Sequence, residues 1–432
     1  MSYKTMKNTV IAIIGTTGVG KSKLSISLSK ALNGQVINAD SMQVYNGLDT
    51  MTNKHPISER FGVEHHLLGH IKDLNTQYTV KDYVSEATTT IQQIIDSASL
   101  PIIVGGTHYY VQSLLFNNEL PDEESNLNSN QTAFLETADT SQLFDKLSLL
   151  DPVIAQKFHP RDRRKISTAL KICFTTGKPA SDIYKQQQSD GKEASRYNSL
   201  IFWVYAQPKS LYPRLDSRVD DMLEHGELLQ EVSQMANIYK SSTPHPDLES
   251  GIWQVIGFKE FLPYIESNTD SDRLNGLDEM KKVTRKYADT QIKWIRKKLL
   301  PIVESSRNEV QIVLLDASDL SNWEANVEKR AIEIAKAFLN HSFEKSLSVP
   351  QDKTLHELLY PKNTAWSTCA DAWKHYECDL CLTKTGEKFV CVGETQWNAH
   401  LRHRRHRQAV KHIREKEAFQ KWKLTTHERI NV

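Results

Sequence analysis

The sequence is poor in cysteine and has no long apolar run. Five cysteines among 432 residues fit a reducing compartment. No stretch has the length of a membrane span, and the first residues lack the apolar segment of a signal peptide. The first residues contain Lys4 and Lys7, and no acidic residue precedes Asp40. This composition is faintly typical of a transit peptide. A core strand predicted from Val10 argues against a cleaved presequence. We expect a cytoplasmic protein with no membrane partner; the sequence leaves mitochondrial and nuclear fractions open.

Net charge is nearly absent, yet the charged residues are clustered. The formal net charge is +1, and 39% hydrophobic and 25% charged residues are typical of a globular protein, here with two or three domains. Lys and Arg number ten against three Glu over 397–432, eight against one Asp over 280–298, and seven against one Asp over 155–178. One such run is often a solvated helix face. Three runs in a neutral chain favour a polyanionic partner, nucleic acid.

Short apolar runs alternate with segments of helical period, which predicts a parallel sheet flanked by helices. The segment from 117 to 199 has helical patterns without a good strand and is predicted to be a helical insertion, with polar loops at Asn117–Gln131 and Asp182–Ser199. The best linker runs from Asn340 to about Lys362. The predicted strands are Val10–Ile14, Gln35–Asn38, Pro101–Val104, Leu200–Tyr205 and Gln311–Leu315.

Composition and period together divide the chain into five segments. Past the linker the composition changes to Cys, His, Trp and Arg, which indicates a separate small module. The predicted segments are the first half of the core (1–116), the helical insertion (117–199), the second half of the core (200–339), the linker (340–365) and the C-terminal module (366–432).

The first predicted strand leads into a glycine-rich loop, Gly15-Thr16-Thr17-Gly18-Val19-Gly20-Lys21-Ser22, and a helical pattern follows. Strand, glycine turn and helix in this order predict a phosphate-binding loop. The glycines let the backbone curl, so that N–H groups at the positive end of a helix point at phosphate oxygens. Lys21 is predicted to reach the outer phosphates and Ser22 to ligate Mg²⁺. We therefore expect an α/β fold with a P-loop NTPase-like parallel sheet.

A missing acid distinguishes this loop from that of an ordinary nucleotide hydrolase. A typical ATPase has an acidic residue at the end of a core strand to organise Mg²⁺, whereas here Pro101–Val104 leads into Gly105-Gly106-Thr107. Asp40 instead follows the second strand, at the edge where open α/β sheets bind ligands. Taken alone, an Asp at a strand end is more often a helix cap than a ligand residue. The pattern argues against NTP hydrolysis.

The C-terminal module carries a metal-ligand pattern. Cys378-Asp379-Leu380-Cys381, His400 and His406 have the spacing C-x2-C-x18-H-x5-H. Two thiolates on a turn and two imidazoles on a helix predict a closed, tetrahedral and structural Zn²⁺ site. His403 is an alternative fourth ligand, but the longer spacing favours His406. A bland alternative is scattered cysteines beside a basic, His-rich helix.

Apolar residues beside this pattern support a small folded module. Trp397 and Leu401 supply the core that a zinc finger needs, and the metal's function would be to fold the module. The other cysteines fit no ligand spacing and are predicted to be buried thiols: Cys173, Cys369 and Cys391.

Six segments together resemble one family: Gly15–Ser22, Asp40–Tyr45, Gly105–Tyr110, Arg214–Leu223, Gly251–Gly257 and Arg285–Arg296. In this order they resemble the tRNA dimethylallyltransferases (tRNA isopentenyltransferases), over about residues 8 to 340. The zinc module makes the chain similar to the eukaryotic, fungal-type members, which carry a matrin-like C2H2 finger that bacterial members lack.

The resemblance implies a reaction and its residues. The family transfers the five-carbon group of dimethylallyl diphosphate to N6 of the adenosine immediately 3′ of the anticodon. Asp40 matches the general base that accepts the proton of the flipped adenosine. Gly15–Ser22, with Mg²⁺ on Ser22, matches the diphosphate cradle, and Thr17 and Arg218 match residues that contact the bridging and terminal phosphate oxygens. Without the family match, Arg218 is as readily an exposed ion pair with Asp220 or Asp221.

The resemblance also implies contacts with the tRNA anticodon stem-loop. A base in a tRNA loop must be extruded to react, so an amide and aromatic rim such as Gln43 and Tyr45 is expected. Thr107 either contacts tRNA or caps the next helix. The segment Arg163–Thr168 corresponds to one that contacts the stem-loop in the family. The residues expected at tRNA are Asp40, Ser41, Met42, Gln43, Thr107, Arg164, Lys165 and Thr168.

Three further expectations concern regions outside these motifs. The basic helix Met280–Lys298 is expected to line the tRNA or diphosphate channel. Trp253 is predicted to lie in the core and not to stack on a base. The finger and the basic residues after it are expected to bind phosphates of the anticodon stem, which adds affinity without reading sequence.

Three hypotheses of different class therefore stand. The first is a tRNA prenyltransferase with Mg²⁺ and structural Zn²⁺, expected to be a monomer. The second is a small-molecule kinase, which the phosphate loop alone would suggest. The third is a non-enzymatic RNA-binding protein that keeps the fold as a scaffold, and intact Asp40, Lys21 and Arg218 argue against it.

Overall fold

The computed structural model describes residues 8–116, 127–189, 195–224, 227–306, 309–348, 352–360, 373–383 and 386–430. The chain divides into two compact units, the first made of Met1–Asn118 and Lys192–Asn363 and the second of Glu119–Gly191 and Thr364–Val432. Cys369 and most of the loop predicted at Asn117–Gln131 lie outside the described residues.

A six-stranded parallel sheet forms the centre of the first unit. Its strand order is β3-β2-β4-β1-β5-β6, and in register Ile13 lies between Val104 and Phe202. All five strands predicted from apolar runs are confirmed; the added strand is the two-residue β3. The strands are β1 (Thr9–Gly15), β2 (Gly34–Asn38), β3 (His65–His66), β4 (Leu100–Val104), β5 (Asn198–Tyr205) and β6 (Val310–Asp316).

Helices account for most of the remaining described residues, with short 3₁₀ and π turns between them. In chain order they are α1 (Lys21–Leu32), α2 (Val80–Asp96), α3 (His108–Leu115), α4 (Ser129–Thr137), α5 (Thr140–Leu150), α6 (Pro152–Lys157), α7 (Arg163–Thr176), α8 (Ala180–Ser189), α9 (Pro208–Glu224), α10 (Glu227–Ser241), α11 (Phe258–Ser267), α12 (Asp270–Trp294), α13 (Leu300–Ser305), α14 (Arg330–Leu339), α15 (His356–Leu359), α16 (Glu394–Arg402) and α17 (Arg404–Ile430).

Both faces of the sheet are buried, as is expected of parallel strands covered by helices. Alternate residues of β1 belong to two separate cores because successive side chains point to opposite faces. Val10, Ala12 and Ile14 pack in one core with residues of α2 and α3. Ile11 and Ile13 pack in the other with residues of α1 and α14. The carboxyl ends of the strands are thereby held in fixed positions.

A third core lies among α9 to α12 in the same unit. It contains Trp253 and Phe258, whose rings are 5.6 Å apart. Trp253 is 1% exposed, which confirms that it is a core residue. Tyr45 lies in this core too and is 1% exposed, with its hydroxyl donated to the Thr76 carbonyl at 2.8 Å. The expectation that Tyr45 forms an open rim for a base is therefore wrong.

The second unit combines the helical insertion with the C-terminal module. Helices α4 to α8 enclose their own apolar core, and the antiparallel hairpin β7 (His375–Leu382) and β8 (Lys388–Val392) precedes α16. The hairpin bonds to the insertion: His159 Nε2 lies 3.1 Å from the Val390 carbonyl, and Arg161 donates to the Lys388 carbonyl at 3.0 Å. The module and the insertion therefore fold against each other.

Two predicted irregular segments contain structure. Ala180–Ser189 is helical, so the loop predicted at Asp182–Ser199 is wrong there; its many Gln and Ser residues concealed a helix. The segment predicted as a linker contains short helical turns, and Leu355 within it is 4% exposed and belongs to the core that contains Val10, Ala12 and Ile14. In the part of the chain that the structure describes, none of the helices is long and apolar enough to cross a bilayer.

Candidate active site and metal centre

The glycine-rich loop connects β1 to α1 at the carboxyl edge of the sheet. Gly20 caps α1 with φ 89°, a left-handed conformation that glycine adopts without strain. A side chain on Gly20 would also meet the ring of Trp323, which lies 2.4 Å from the position of a Cβ. The loop is therefore closely packed against Trp323. The N-terminal end of α1, which follows the loop, is suited to binding anions.

Lys21, the first residue of α1, folds back over the loop. Its Nζ donates to the Thr16 carbonyl at 2.7 Å. Burial lowers the pKa of the Lys21 ammonium to about 8, and the nearby Asp40 carboxylate partly opposes this shift. A buried ammonium with a lowered pKa is a group that an incoming anion would stabilise.

Asp40 follows β2 at the same edge of the sheet. Its Oδ1 accepts a hydrogen bond from the Met42 N–H at 3.0 Å, and the Asn38 side chain holds its backbone on both sides. Burial raises the pKa of the Asp40 carboxyl, against the effects of the Met42 N–H and of Lys21. A carboxylate with a raised pKa is a stronger base, and such groups are frequent at active sites.

The Gly105-Gly106 turn after β4 packs directly against the Asp40 segment. A Cβ on Gly105 would lie 2.0 Å from the Ala39 carbonyl oxygen, and one on Gly106 would lie 3.2 Å from Asp40 Oδ2. There is no room here for the acidic side chain of a typical ATPase. The absence seen in the sequence thus has a steric cause, because the space is taken by Asp40 and its strand.

Gln291 of α12 is a site residue that the sequence did not single out. It is 4% exposed; its Oε1 accepts from the Thr17 N–H at 2.9 Å, and its Nε2 donates to the Gly106 carbonyl at 3.0 Å. Tyr287, one turn earlier, hydrogen-bonds Gln291, and burial of its hydroxyl and the charge of Asp40 raise its phenol pKa. Although Tyr287 is 37% exposed, its hydroxyl faces the site.

His108 is a second residue that the sequence did not single out. It begins α3, is 3% exposed and lies with Nε2 3.3 Å from the Gly15 N–H, which donates to it. Burial, aided by Lys21, lowers the pKa of His108 to about 3. His108 is therefore neutral and fixes the start of the phosphate loop.

Arg218 reaches the loop from α9. Its Nη2 donates to the Thr17 hydroxyl at 3.0 Å, and its Nε is buried without a hydrogen-bond partner. Burial lowers the pKa of its guanidinium to about 10, so it stays charged at neutral pH. Asp220 pairs with Lys281 at 2.5 Å. The structure therefore places Arg218 on the phosphate loop and gives Asp220 a different partner.

The residues after Asp40 form a shelf fixed by backbone contacts. The Thr107 hydroxyl accepts from the Ser41 N–H at 2.9 Å. Thr107 occupies the N-cap position of α3, but its side chain makes no capping hydrogen bond. Gln43 donates its amide to the carbonyls of Thr52 and Asn53 at 3.0 and 3.1 Å. Met42 is half-buried beside them. This shelf brings together the predicted residues of the first unit that lie near Asp40.

The predicted tRNA contacts of the second unit lie on α7. Arg164 and Lys165 are exposed and Thr168 is half-buried. Lys165 pairs with Asp162 at 2.7 Å, and Asp162 caps the helix. Arg163 instead points into the unit, where it donates to the carbonyls of Ala138 and Leu135.

In the basic helix at Met280–Lys298, several of the basic residues pair with acidic side chains, and a neutral residue contacts the phosphate loop. Arg285 binds Asp216, and Lys282 lies 2.8 Å from Glu279. The same helix supplies Gln291 to the phosphate loop. The helix thus contacts the phosphate loop through a neutral amide, which a search for charge does not detect, and its lining of a tRNA or diphosphate channel stays a prediction.

The four predicted metal ligands meet in the second unit. One donor atom from each of Cys378, Cys381, His400 and His406 lies within 4.8 Å of the other three. His406 Nδ1 is 3.5 Å from both sulfurs. In a tetrahedral site with Zn–S about 2.3 Å and Zn–N about 2.0 Å, such an edge is about 3.5 Å long. The donor set and its spacing fit zinc.

Burial around the ligands supports the same conclusion. His400 Nε2 is buried with no protein partner, and its ring stacks on Phe389 at 4.0 Å. Cys378 and Cys381 lie in β7, whose register shifts between Cys378 and Leu382. The two histidines lie on separate helices, α16 and α17, because the extended backbone of His403 separates them. The prediction of one helix is wrong, while the preference for His406 is confirmed.

The apolar surroundings of the metal centre are partly as predicted. Trp397 stacks on Tyr376 at 5.4 Å and is half-buried, whereas Leu401 is 36% exposed. Cys173 and Cys391 are buried thiols outside the ligand set, as predicted.

Comparison with known proteins identifies the family to which this geometry belongs. The model of the family described as IPP transferase matches residues 43–298. This chain belongs to the IPP transferase family. It is 41% identical over 431 residues to the tRNA dimethylallyltransferase of Saccharomyces cerevisiae, covering 98% of this chain and 97% of the relative. It is 34% identical to the human tRNA dimethylallyltransferase, covering 93% of this chain and 86% of the relative.

Solved structures of IPP transferases agree with the fold. A eukaryotic dimethylallyltransferase captured acting on tRNA is 41% identical and superposes with a TM-score of 0.80, over 96% of this chain and all of that one. The full-length tRNA isopentenylpyrophosphate transferase of Bacillus halodurans is 30% identical, with a TM-score of 0.52 over 78% of this chain and 98% of that one. Among IPP transferases the chain is of the eukaryotic type, since its match to the yeast enzyme extends through the Cys/His module.

Proposed function

We propose that this chain transfers the dimethylallyl group of dimethylallyl diphosphate to N6 of the adenosine immediately 3′ of the tRNA anticodon and releases diphosphate. Membership of a tRNA-prenylating family supports the reaction. The observation that carries the assignment of roles is the placement of Asp40 beside the phosphate loop, within electrostatic range of Lys21. A base and an anion cradle at one strand edge suit a transfer in which a proton and a diphosphate leave from opposite sides.

The reaction balances with two bonds made and two broken. The lone pair of N6 forms a bond to C1 of the allyl group, while the C1–O bond breaks and its electron pair leaves with diphosphate. One N6–H bond then breaks and its proton passes to a base. The exocyclic amine of adenine is a poor nucleophile, so orientation, proton removal and stabilisation of the leaving group must all contribute.

Asp40 is proposed as the base. Its Oδ1 is held by the Met42 N–H, which leaves the second oxygen, Oδ2, beside the Gly106 turn to receive the N6 proton. Its raised pKa makes proton uptake more favourable than for a solvated aspartate. A neutral Asn at this position would orient the amine but take no proton.

The phosphate loop and Arg218 are proposed to hold the leaving diphosphate. Lys21 and the buried, incompletely bonded guanidinium of Arg218 supply positive charge, and Thr17 of the loop accepts a hydrogen bond from that guanidinium. Charge-assisted hydrogen bonds of this kind strengthen as negative charge develops on the leaving oxygens. The Ser22 hydroxyl would hold Mg²⁺, and the ion would neutralise further charge on the leaving group.

The tRNA is proposed to be bound by elements of both units. The shelf of Ser41, Met42 and Gln43 with Thr107 would contact the extruded adenosine. Arg164, Lys165 and Thr168 on α7 would contact the anticodon stem-loop, and basic residues of α17 would contact phosphates. Exposed Lys and Arg give salt-dependent affinity and little sequence choice.

Mass spectrometry of nucleosides tests the proposal against the kinase alternative. The protein is incubated with tRNA, Mg²⁺ and dimethylallyl diphosphate, or with ATP in its place. We expect N6-dimethylallyladenosine in the digested tRNA only with the allylic diphosphate. Consumption of ATP with phosphorylation of a small metabolite, and no modified nucleoside, would overturn the proposal.

A further inference from the structure

Gln291 connects the two halves of the proposed reaction centre. Its Oε1 accepts from the Thr17 N–H at 2.9 Å on the diphosphate side, and its Nε2 donates to the Gly106 carbonyl at 3.0 Å on the side of Asp40. These partners lie 274 and 185 positions away in the sequence. A single side chain thus spans the distance from the phosphate loop to the segment that holds the base.

Further contacts extend in both directions from this amide. The Thr17 hydroxyl accepts from Arg218 Nη2 at 3.0 Å. The Gly106 turn lies against the Asp40 carboxylate, since a Cβ on Gly106 would be 3.2 Å from Asp40 Oδ2. The chain of contacts therefore runs from the cation that would hold diphosphate to the carboxylate that would take the proton. Gln291 is its central member, and its hydrogen bonds go to Thr17 and Gly106.

Gln291 is closely packed as well as hydrogen-bonded. The side chain is 4% exposed, and a Cβ on Gly106 would lie 2.6 Å from its Nε2. The absence of a side chain after β4 thus makes room for this amide as well as for Asp40. The amide serves both partners at once, because its oxygen accepts from the Thr17 N–H and its nitrogen donates to the Gly106 carbonyl.

We propose that Gln291 is a positioning residue that sets the separation between the leaving diphosphate and the base. The inference rests on the proposed function. Transfer requires N6, C1 and the leaving oxygen to be aligned, and a displacement of about 1 Å costs roughly 100-fold in rate. Gln291 acts through Thr17 and Gly106, so its loss slows the chemical step without removing a substrate contact.

The test measures single-turnover transfer with saturating tRNA and dimethylallyl diphosphate, together with the affinities for tRNA and inorganic pyrophosphate. Gln291→Met keeps the length and removes the hydrogen bonds to Thr17 and Gly106 together with the one to Tyr287. Gln291→Glu keeps the acceptor for Thr17 and replaces the donor for Gly106. Thr290→Ala is the matched control, because its exposed hydroxyl bonds only the Lys286 carbonyl of its own helix.

We expect the transfer rate to fall about 10- to 100-fold in both Gln291 variants, with tRNA and pyrophosphate affinities within about threefold of the wild type and an unchanged rate in Thr290→Ala. Should Gln291→Met fail to fold, Gln291→Glu alone decides. A rate within about twofold of the wild type, or a fall in rate matched by weaker binding, would overturn the positioning role. Absence of transfer by the wild type in the same assay would instead overturn the proposed function.

Discussion

The guanidinium of Arg218 and the hydroxyl of Thr17 lie 3.0 Å apart across 201 positions of sequence. This contact joins α9 to the phosphate loop and leaves the Arg218 Nε buried with no hydrogen-bond partner. Burying a charge with unmet hydrogen bonds is costly unless a ligand completes them. A diphosphate in the loop would supply the missing acceptor.

Replacing Arg218 should therefore weaken transfer more than folding. We expect Arg218→Gln to lower kcat/KM for dimethylallyl diphosphate by about 100- to 1,000-fold, the usual effect of removing one donor to a developing anion. Arg218→Lys should recover only part of this activity, because an ammonium lacks the planar fork. Steady-state kinetics with tRNA in excess provides the measurement. An Arg218→Gln enzyme with unchanged kcat/KM would show that the guanidinium does not contact the leaving group.

Replacing Asp40 should remove chemistry and spare binding. We expect Asp40→Ala and the isosteric Asp40→Asn to lose transfer while tRNA affinity changes by less than about threefold, since a single general base contributes about 100- to 10,000-fold. Filter binding and single-turnover assays measure the two quantities separately. Normal turnover in either variant would assign the base to another residue.

The pH dependence of the wild type should report the same carboxyl. Burial raises the Asp40 pKa above its ordinary value of 3.8, and the deprotonated form is the active one. The transfer rate should therefore fall as pH decreases through this raised pKa, at a midpoint above 3.8. In Gln291→Met the rate should still fall at low pH. A changed midpoint of that fall would show that the variant alters the surroundings of Asp40, while Asp40 remains the base.

Lys21 should take up a proton when the leaving group binds. Its pKa of about 8 lies below its ordinary 10.5, so a fraction is neutral above pH 8, and an anion in the loop raises the pKa of the bound ammonium. Pyrophosphate affinity should then fall as pH rises above 8, beyond the change from pyrophosphate's own titration. Lys21→Arg is the control, because arginine stays protonated.

Calorimetry at about pH 9, above the Lys21 pKa, in buffers of different ionisation enthalpy measures this proton uptake. We expect uptake in the wild type to exceed that in Lys21→Arg. Equal uptake in the two proteins would mean that Lys21 does not titrate on binding.

The metal centre should depend on the four clustered ligands and on no other cysteine. We expect Cys378→Ser and His406→Ala to lose one equivalent of zinc by native mass spectrometry. Cys391→Ser and His403→Ala should retain it, since neither residue belongs to the cluster. Zinc retained by His406→Ala and lost by His403→Ala would reverse the choice of fourth ligand.

Loss of zinc should also weaken tRNA binding. The hairpin that carries two of the ligands bonds to His159 and Arg161 of the insertion, so unfolding it should disturb both basic elements of the second unit. We expect a lower tRNA affinity and a shallower salt dependence in Cys378→Ser, with the logarithmic slope reduced by about 0.7 to 0.9 for each phosphate that the variant no longer binds. An unchanged slope would give the finger a role other than phosphate binding.

The features that the sequence predicts correctly are those that depend on residues close together in the chain. Five strands were predictable because each is a short apolar run, and the metal ligands because their spacing is short. The strand His65–His66 has no such pattern and forms only because β2 offers it an edge. Helix α8 is rich in Gln and Ser, which weakens the apolar stripe by which helices are recognised.

Residues that act through distant contacts were not predictable. Gln291 and His108 meet the phosphate loop across 274 and 93 positions, and neither carries a charge pattern of its own. Tyr45 shows the opposite error, because an aromatic next to a predicted base suggests stacking, whereas its ring is in the third core. Long-range packing decides these cases.

The most direct test of the central claim counts the products of one reaction. The protein is mixed with Mg²⁺, dimethylallyl diphosphate and a tRNA transcript, or a matched transcript in which guanosine replaces the adenosine 3′ of the anticodon. We predict one diphosphate released for each N6-dimethylallyladenosine formed, at that position alone, and neither product with the guanosine transcript. Diphosphate release without nucleoside modification, or equal modification of both transcripts, would contradict the account.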